Sequence, residues 1–257
     1  MTCPICQQDD ATAFAAFPRF TVEECGGCGF KFVDVTAPDY PENAQYVHDE
    51  PIGAVRPHQP HLMRRVRDIM RLRPPPASAL DIGCGKGEMP LLLAEHGYRA
   101  AGLEMKQHYV EYLCQRHPGP RWLACDVAQL ANTGELFDVI SLYHVLEHVA
   151  RPLEFLGHVR RICAPGALMV VEVPNAGGFE ARLKGRKWHY YKVDHVSYFT
   201  ERDLLAMADR TGWRVLKVKG YQHFSHPQHV WWKDAVKSGL ACLGFKDVIS
   251  IFAVPNT

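Results

Sequence analysis

Residues 79–87 read Ala-Leu-Asp-Ile-Gly-Cys-Gly-Lys-Gly, an apolar strand that breaks after Asp81 into a loop with glycine at 83, 85 and 87. Alternate glycines remove every second Cβ, so the backbone turns tightly from strand to helix and its amides come within reach of a ligand. A dinucleotide site would need G-x-G-x-x-G, but its third glycine position is Glu88 here, and a carboxylate at that point repels a diphosphate. No G-x-x-x-x-G-K-[ST] loop occurs in the chain. Asp81 instead suits a ligand with a cationic amino group, from which it can accept hydrogen bonds.

Two further acids stand at the ends of the next strands. Arg99-Ala-Ala-Gly-Leu leads into Glu104, and Arg121-Trp-Leu-Ala-Cys leads into Asp126. Each alone also suits a helix N-cap. The pattern D-x-G-x-G-x-G of residues 81–87, followed by these acids, resembles the class I S-adenosylmethionine-dependent methyltransferases over about residues 75–220. The resemblance implies that Asp81, Gly83, Gly85 and Gly87 hold the cofactor, that Glu104 takes both ribose hydroxyls, and that Asp126 and the Val127 amide meet the adenine. It also implies that Tyr143-His144 and Leu146-Glu147-His148-Val149, which follow the apolar run Phe137–Leu142, lie under the methionine end.

From residue 78 onward, predicted strands and helices alternate: strand 78–82, helix 88–96, strand 99–104, helix 106–116, strands 121–125 and 137–142, helix 152–163, strand 167–173. That alternation predicts an α/β fold, a Rossmann-like doubly wound sheet. Helix 200–210, strand 213–219, helix 231–243 and strand 246–254 follow, and the family's closing antiparallel hairpin brings the count to seven strands. The Pro165-Gly166 pair predicts a turn into the fifth strand.

Upstream, Cys3-Pro-Ile-Cys6 and Cys25-Gly-Gly-Cys28 give C-x2-C-x18-C-x2-C, the spacing of a four-thiolate zinc site. Four thiolates fill a tetrahedron, so the expected Zn2+ is structural. A redox pair, the other reading of C-x-x-C, has no use for a second copy. Residues 13–17 and 20–24 can form the hairpin of a zinc ribbon. The expected organisation is a ribbon at 1–33, a linker or lid at 34–60, and a methyltransferase domain at 61–257 with an acceptor-site insertion at about 175–199. Within the lid, Tyr46 is a candidate to cover the cofactor. His61–Leu72 reads as a helix whose Arg64, Arg65, Arg67 and Arg71 form a solvated basic face.

With 29 basic and 28 acidic side chains, broad charge-driven nucleic-acid binding is disfavoured. No apolar run of membrane-spanning length and no signal peptide is visible, so the expected location is cytoplasmic, with no membrane partner and the oligomeric state open. The other cysteines read as small core residues.

Open α/β sheets bind ligands beyond the carboxyl ends of their strands, which points the acceptor to residues 143–148 and to Lys187–Thr200. The second segment resembles the family's Asp-His-x-x-Tyr-Phe stretch before a helix capped by Thr200. Methyl transfer needs an aligned nucleophile and a group to take its proton. His195 is the first candidate base, with His144, Glu147 and His148 behind it. His223, His226 and His229 form another cluster, but Pro227 spoils a helical face and no carboxylate accompanies them. The expected function is methyl transfer to a small-molecule acceptor, at oxygen first. Two other readings stand beside it: a ribosomal or transfer RNA base methyltransferase using the ribbon to bind RNA, and a non-enzymatic interaction protein with a residual cofactor fold.

Overall fold

The computed structural model describes residues 1–37, 40–41, 53–221 and 246–256. In chain order the elements are β1 (Ala11–Phe17), β2 (Phe20–Cys25), β3 (Lys31–Val33), α1 (Pro60–Leu72), β4 (Ser78–Ile82), α2 (Glu88–Glu95), β5 (Arg99–Leu103), α3 (Gln107–Arg116) and β6 (Arg121–Leu123). They continue with α4 (Val127–Ala131), β7 (Phe137–Tyr143), α5 (Pro152–Arg161), β8 (Cys163–Pro174), α6 (Phe179–Lys184), β9 (Ser197–Tyr198), α7 (Glu201–Arg210), β10 (Trp213–Tyr221) and β11 (Val248–Pro255). Single 3-10 turns occur at Leu146–His148 and Gly185–Lys187.

Seven strands make one sheet in the order β10-β11-β8-β7-β4-β5-β6. The inner strands pair in parallel, whereas β11 is antiparallel to both β8 and β10. The chain winds from β4 outward to β6 and then returns to lay β7 against the other side of β4. This reversal separates the following loops and leaves a crevice at the carboxyl ends of β4 and β7. The doubly wound sheet expected from the alternation is therefore present, with the predicted hairpin closing it.

Residues alternate between two apolar layers, as the pleat of a strand requires. Val139 and Val170 pack with Leu62, Val66 and Ile69 of α1 and Leu92 and Leu93 of α2. Ile140, Leu142 and Val171 pack on the opposite face with Leu156 and Val159 of α5 and Leu204 and Met207 of α7. Both faces of the sheet are covered, which is why its strands carry continuous apolar runs.

Several local expectations change. Residues 163–166 belong to β8, because Gly166, at φ +69°, bends the strand within the sheet, and Cys163 already pairs with Phe137. β6 stops at Leu123, and Asp126 opens the short helix α4, which the sequence reading lacked. The basic face of α1 is not wholly solvated. Arg65 pairs with the buried Glu172, Arg64 stacks 3.7 Å from the Tyr221 ring centroid, and Arg67 remains exposed. The buried Asp68, hydrogen-bonded to Lys219 and Tyr221, ties the same helix to β10. Helix α1 packs against the sheet, so Arg65 finds an acid there instead of water.

The N-terminal residues form a second sheet, β1-β2-β3-β9. The hairpin of β1 and β2 was expected, but β3 and its partner β9 were not. β9 lies at residues 197–198, so the N-terminal hairpin shares its sheet with a segment that follows β8. Among the described residues, no helix is long and apolar enough to cross a membrane. Tyr46, the predicted helix 231–243 and the histidines 223, 226 and 229 lie outside the described residues.

Candidate functional site

The glycine loop passes from β4 to α2 with all three glycines at positive φ: 67° at Gly83, 51° at Gly85 and 77° at Gly87. Their surroundings differ. A Cβ at Gly83 would come within 2.7 Å of Val145, and one at Gly87 within 2.7 Å of Leu113 and Trp122, so close packing excludes side chains there. At Gly85 an added Cβ would meet nothing within 4 Å. One side of the loop therefore faces packed protein, and the other is open at the crevice. Glu88 accepts from the Arg56 amide at 2.9 Å, which ties the end of the proposed lid to the first turn of α2.

A cavity of about 460 Å³ opens at this edge and is lined by Gly83, Glu104, Asp126, Val127, Val145 and His148, among others. Such a volume is of the order of small-molecule cofactor sites. Glu104 receives the amides of Gly85 and Lys106, each at 3.0 Å, one on each carboxylate oxygen. These bonds aim the carboxylate while leaving further lone pairs on both oxygens. Asp126 caps α4 by accepting from the Gln129 amide at 2.7 Å, in a reciprocal capping box. The N-cap role and the cavity-facing position coexist, because only one carboxylate oxygen is used in the cap.

Asp81 lies behind the loop, buried and hydrogen-bonded by the Ser141 hydroxyl at 2.6 Å. Burial pushes its carboxyl up to about 7, against the pull of that hydrogen bond and of the Arg65 charge. A cationic group beside it would reverse the shift. Tyr143 turns to the α1 face, its hydroxyl buried without a hydrogen-bond partner among the described residues and its ring 4.1 Å from the Arg65 guanidinium.

At the end of β7 the chain takes a left-handed residue, His144 at φ 57°. Its amide donates to the Glu172 carbonyl at 2.9 Å, and its Nδ1 lies 3.2 Å from Glu147 Oε1. Glu147 is buried, which opposes ionisation, but the His144 hydrogen bond and the neighbouring histidines outweigh this and hold its carboxyl below the ordinary range. Glu172 behaves alike: burial opposes its ionisation, and Arg65 overcomes it.

The insertion brings a second segment to this turn. His148 Nδ1 lies 2.7 Å from the Asp194 carbonyl, and the His148 and His195 rings meet edge to face at 4.7 Å. Because a carbonyl only accepts, the contact calls for a proton on Nδ1, which in the neutral ring leaves Nε2 as the acceptor. His195 is 6 % exposed, and burial pulls its imidazole down to about 4. Of these two histidines His148 lines the cavity, while His195 packs behind it against Tyr190, with centroids 5.8 Å apart. Lys106, Phe155 and His158 also line the cavity. The sequence reading passed over them because nothing local distinguishes them from surface residues.

Two clusters of metal-ligating side chains occur among the described residues. Glu147, His148 and His195 offer three donors within 4.8 Å, one ring being committed through Nδ1 to a carbonyl. Cys3, Cys6, Cys25 and Cys28 offer four. Sγ separations of 3.6 Å for Cys3 to Cys28 and 3.4 Å for Cys6 to Cys25 are close to the ~3.8 Å that a tetrahedron of Zn–S bonds of about 2.3 Å imposes. Burial raises the Cys25 thiol, yet the backbone N–H groups of Cys28 and Gly27 turned toward it bring it down to about 7. The donor set thus fits a thiophilic cation.

Comparison with known proteins bears on the larger domain. Residues 56–218 match the family model described as a methyltransferase domain. The chain is similar to a ubiquinone biosynthesis O-methyltransferase of Cereibacter sphaeroides, 33% identical over 116 residues, covering 42% of this chain and 47% of that protein. A protein of the same name from Coxiella burnetii is 24% identical over 160 residues, 58% of this chain and 67% of the other. The chain thus spans about half the length of the first of these and two thirds of the second. Among solved structures, an S-adenosylmethionine-dependent methyltransferase from Archaeoglobus fulgidus aligns with TM-score 0.57 at 16% identity, over 76% of this chain and 93% of that one. Magnesium protoporphyrin IX methyltransferase from Synechocystis, with bound S-adenosylhomocysteine, aligns with TM-score 0.58 at 15% identity over 78% and 84%. These two likenesses concern the fold. The family match covers well over half the chain and includes the glycine loop and all three strand-end acids, and by it this protein belongs to the class I S-adenosylmethionine-dependent methyltransferases.

Proposed function

We propose that the protein transfers a methyl group from S-adenosylmethionine to a hydroxyl of a small molecule. The observation that carries this reading is the single cavity that joins Gly83, Glu104, Asp126 and Val127 to His148. The open side of Gly85, the paired oxygens of Glu104 and the buried Asp81 suit a cofactor with a flat loop contact, a ribose and a cationic amino group. When bound, that cofactor supplies an electrophilic methyl on a sulfonium.

The chain's own part is alignment and proton transfer. In this reading His148, rather than His195, takes the acceptor proton on Nε2. Its Nδ1 proton is held by the Asp194 carbonyl, and Glu147 nearby stabilises the imidazolium that forms. His195, buried and lowered to about 4, is a weak base and serves to hold the His148 ring. Asp126 and the Val127 amide hold adenine, and His144 shapes the methionine end. The O-methyltransferase names of the curated relatives support oxygen as the accepting atom. Cys3, Cys6, Cys25 and Cys28 hold one structural Zn2+.

A basic patch over residues 64–73 and 184–192 would favour the RNA reading, but Arg64 and Arg65 of it are engaged by Tyr221 and Glu172. Incubation with methyl-labelled cofactor and a fractionated cell extract tests the proposal. Label in the small-molecule fraction is the expected result, and label confined to RNA would replace it.

A further inference from the structure

The ribbon and the acceptor turn have a strand in common. Residues 194–198 run between them with backbone bonds on both flanks. On one flank, β3 pairs antiparallel with β9, matching Lys31 with Tyr198 and Phe32 with Ser197, and the Val33 amide donates to the Val196 carbonyl at 2.9 Å. On the other flank, the Val196 amide donates to the Glu147 carbonyl at 2.8 Å, the Ser197 hydroxyl donates to the Val149 carbonyl at 2.9 Å, and the Asp194 carbonyl holds His148.

Side chains repeat the arrangement. Phe30, next to the second cysteine pair, is fully buried against Phe199, with ring centroids 5.2 Å apart. Cys3, Ile5, Cys25, Phe30 and Phe32 belong to the same apolar core as Leu142, Leu146 and Leu204. Trp188, Tyr190, Val196 and Tyr198 of the insertion pack on Phe20, Val22 and Val33 of the ribbon. Arg202 at the start of α7 donates to the Cys28 carbonyl inside the second knuckle.

We infer that the cysteine-held ribbon is the brace that positions the acceptor half of the site. Metal bound at the four cysteines orders β3, β3 holds residues 194–198, and that segment orients His148. Between Gly185 and Val196 the chain makes only turns and irregular structure, so little local order would hold it once β3 is lost. The cofactor half, carried by β4, β5 and α4, shares that apolar core through Leu80, Leu103 and Val127 but makes no hydrogen bond to the ribbon among the described residues. This inference rests on the proposed methyl transfer only for its kinetic arm.

Hydrogen exchange on the full chain, before and after removal of zinc by a chelator, tests it independently of any acceptor. Amides of 194–198 and 146–149 should exchange at least about 10-fold faster after removal, while those of β4, β5 and α2 keep their protection. Affinity for S-adenosylhomocysteine should change less than about 3-fold, since its ligands are unmoved. Val33→Pro, which deletes the amide that holds Val196 but keeps all four cysteines, should retain one zinc per chain and reproduce the faster exchange. Its kcat should fall toward about 10²-fold, the loss expected from misplacing a catalytic group by an ångström. Unchanged protection of 194–198 without zinc would overturn the inference. So would loss of protection in β4 and β5 to the same degree, because the ribbon would then support the whole fold and not the acceptor half. If no acceptor is ever methylated while the exchange pattern holds, the proposed function fails and the brace stands.

Discussion

The two halves of the crevice are built in different ways. The half proposed for the cofactor consists of consecutive strand ends, Asp81, Glu104 and Asp126, each followed by a turn whose amides orient a carboxylate or are capped by it. The proposed acceptor half joins residues far apart in the chain: His144 to Glu172, His148 to Asp194 and Val33 to Val196. The first kind of site is less exposed to changes elsewhere in the fold, because its parts come from adjoining strand-loop units, with Ser141 on Asp81 the long-range contact named above. The second depends on the docking of separate segments, and small displacements at a distance should reach it.

The largest expected effect separates catalysis from cofactor binding. His148→Gln should lower kcat by about 10²–10⁴-fold, the span of general-base contributions, with little change in cofactor Kd by calorimetry. If turnover with the physiological acceptor is unchanged, the base lies elsewhere. Phe30→Ala should destabilise the protein by about 3–5 kcal/mol in denaturant unfolding, as for a fully buried aromatic, and should spare cofactor affinity in the remaining folded fraction.

On the cofactor side the dependence reverses. Glu104→Gln should weaken cofactor binding by about 1.5–3 kcal/mol, the range of a hydrogen bond to a charged group, and leave residues 194–198 protected from exchange. Gly85→Ala should also act on binding, since its Cβ would point into the open side of the loop.

The smallest effects lie in the pH dependence of stability, where the two halves oppose each other. His195, lowered to about 4, binds fewer protons folded than unfolded between pH 4 and 6.5, so its contribution makes stability rise with pH across that window. Asp81, raised from 3.8 to about 7, binds more protons folded than unfolded between those values, so its contribution makes stability fall as pH rises. Each slope approaches about 1.4 kcal/mol per pH unit, and in the shared window they largely cancel. Asp81→Asn should therefore reveal a positive slope, and His195→Asn a negative one. Equal slopes in both variants would mean that the two halves do not differ in this way. Cofactor affinity should weaken as pH falls below about 7, where Asp81 takes up its proton.

Legibility follows the same division. Asp81, Glu104 and Asp126 could be read because strand, turn and acid adjoin in sequence, and the hairpin of the ribbon could be read from the spacing of its cysteines. Tyr143 was placed correctly at the end of β7, but its ring faces Arg65 and not the cavity lining, a direction that the pleat and the packing of α1 decide together. The arginines of α1 read as a solvated face, since no local pattern reveals that Glu172 lies opposite. His195 ranked first among candidate bases in the sequence; it is buried in the fold, and the function proposed above gives the proton to His148 instead.

Legible in the sequence without help from the fold were the seven strands of the main sheet, the glycine loop, the acids at the strand ends and the four-cysteine set. All of these depend on residues close to one another along the chain. Only the packed fold set His148 rather than His195 at the cavity, turned Arg65 of α1 inward, and gave the N-terminal hairpin a strand from residues 197–198. The glycine loop sits where β4 ends whatever the rest of the chain does, whereas His148 acquires its orientation from a carbonyl 46 residues away. That contact exists only after the sheet, the insertion and the ribbon have packed, because burial and long-range hydrogen bonds are properties of the assembled fold and not of any one segment.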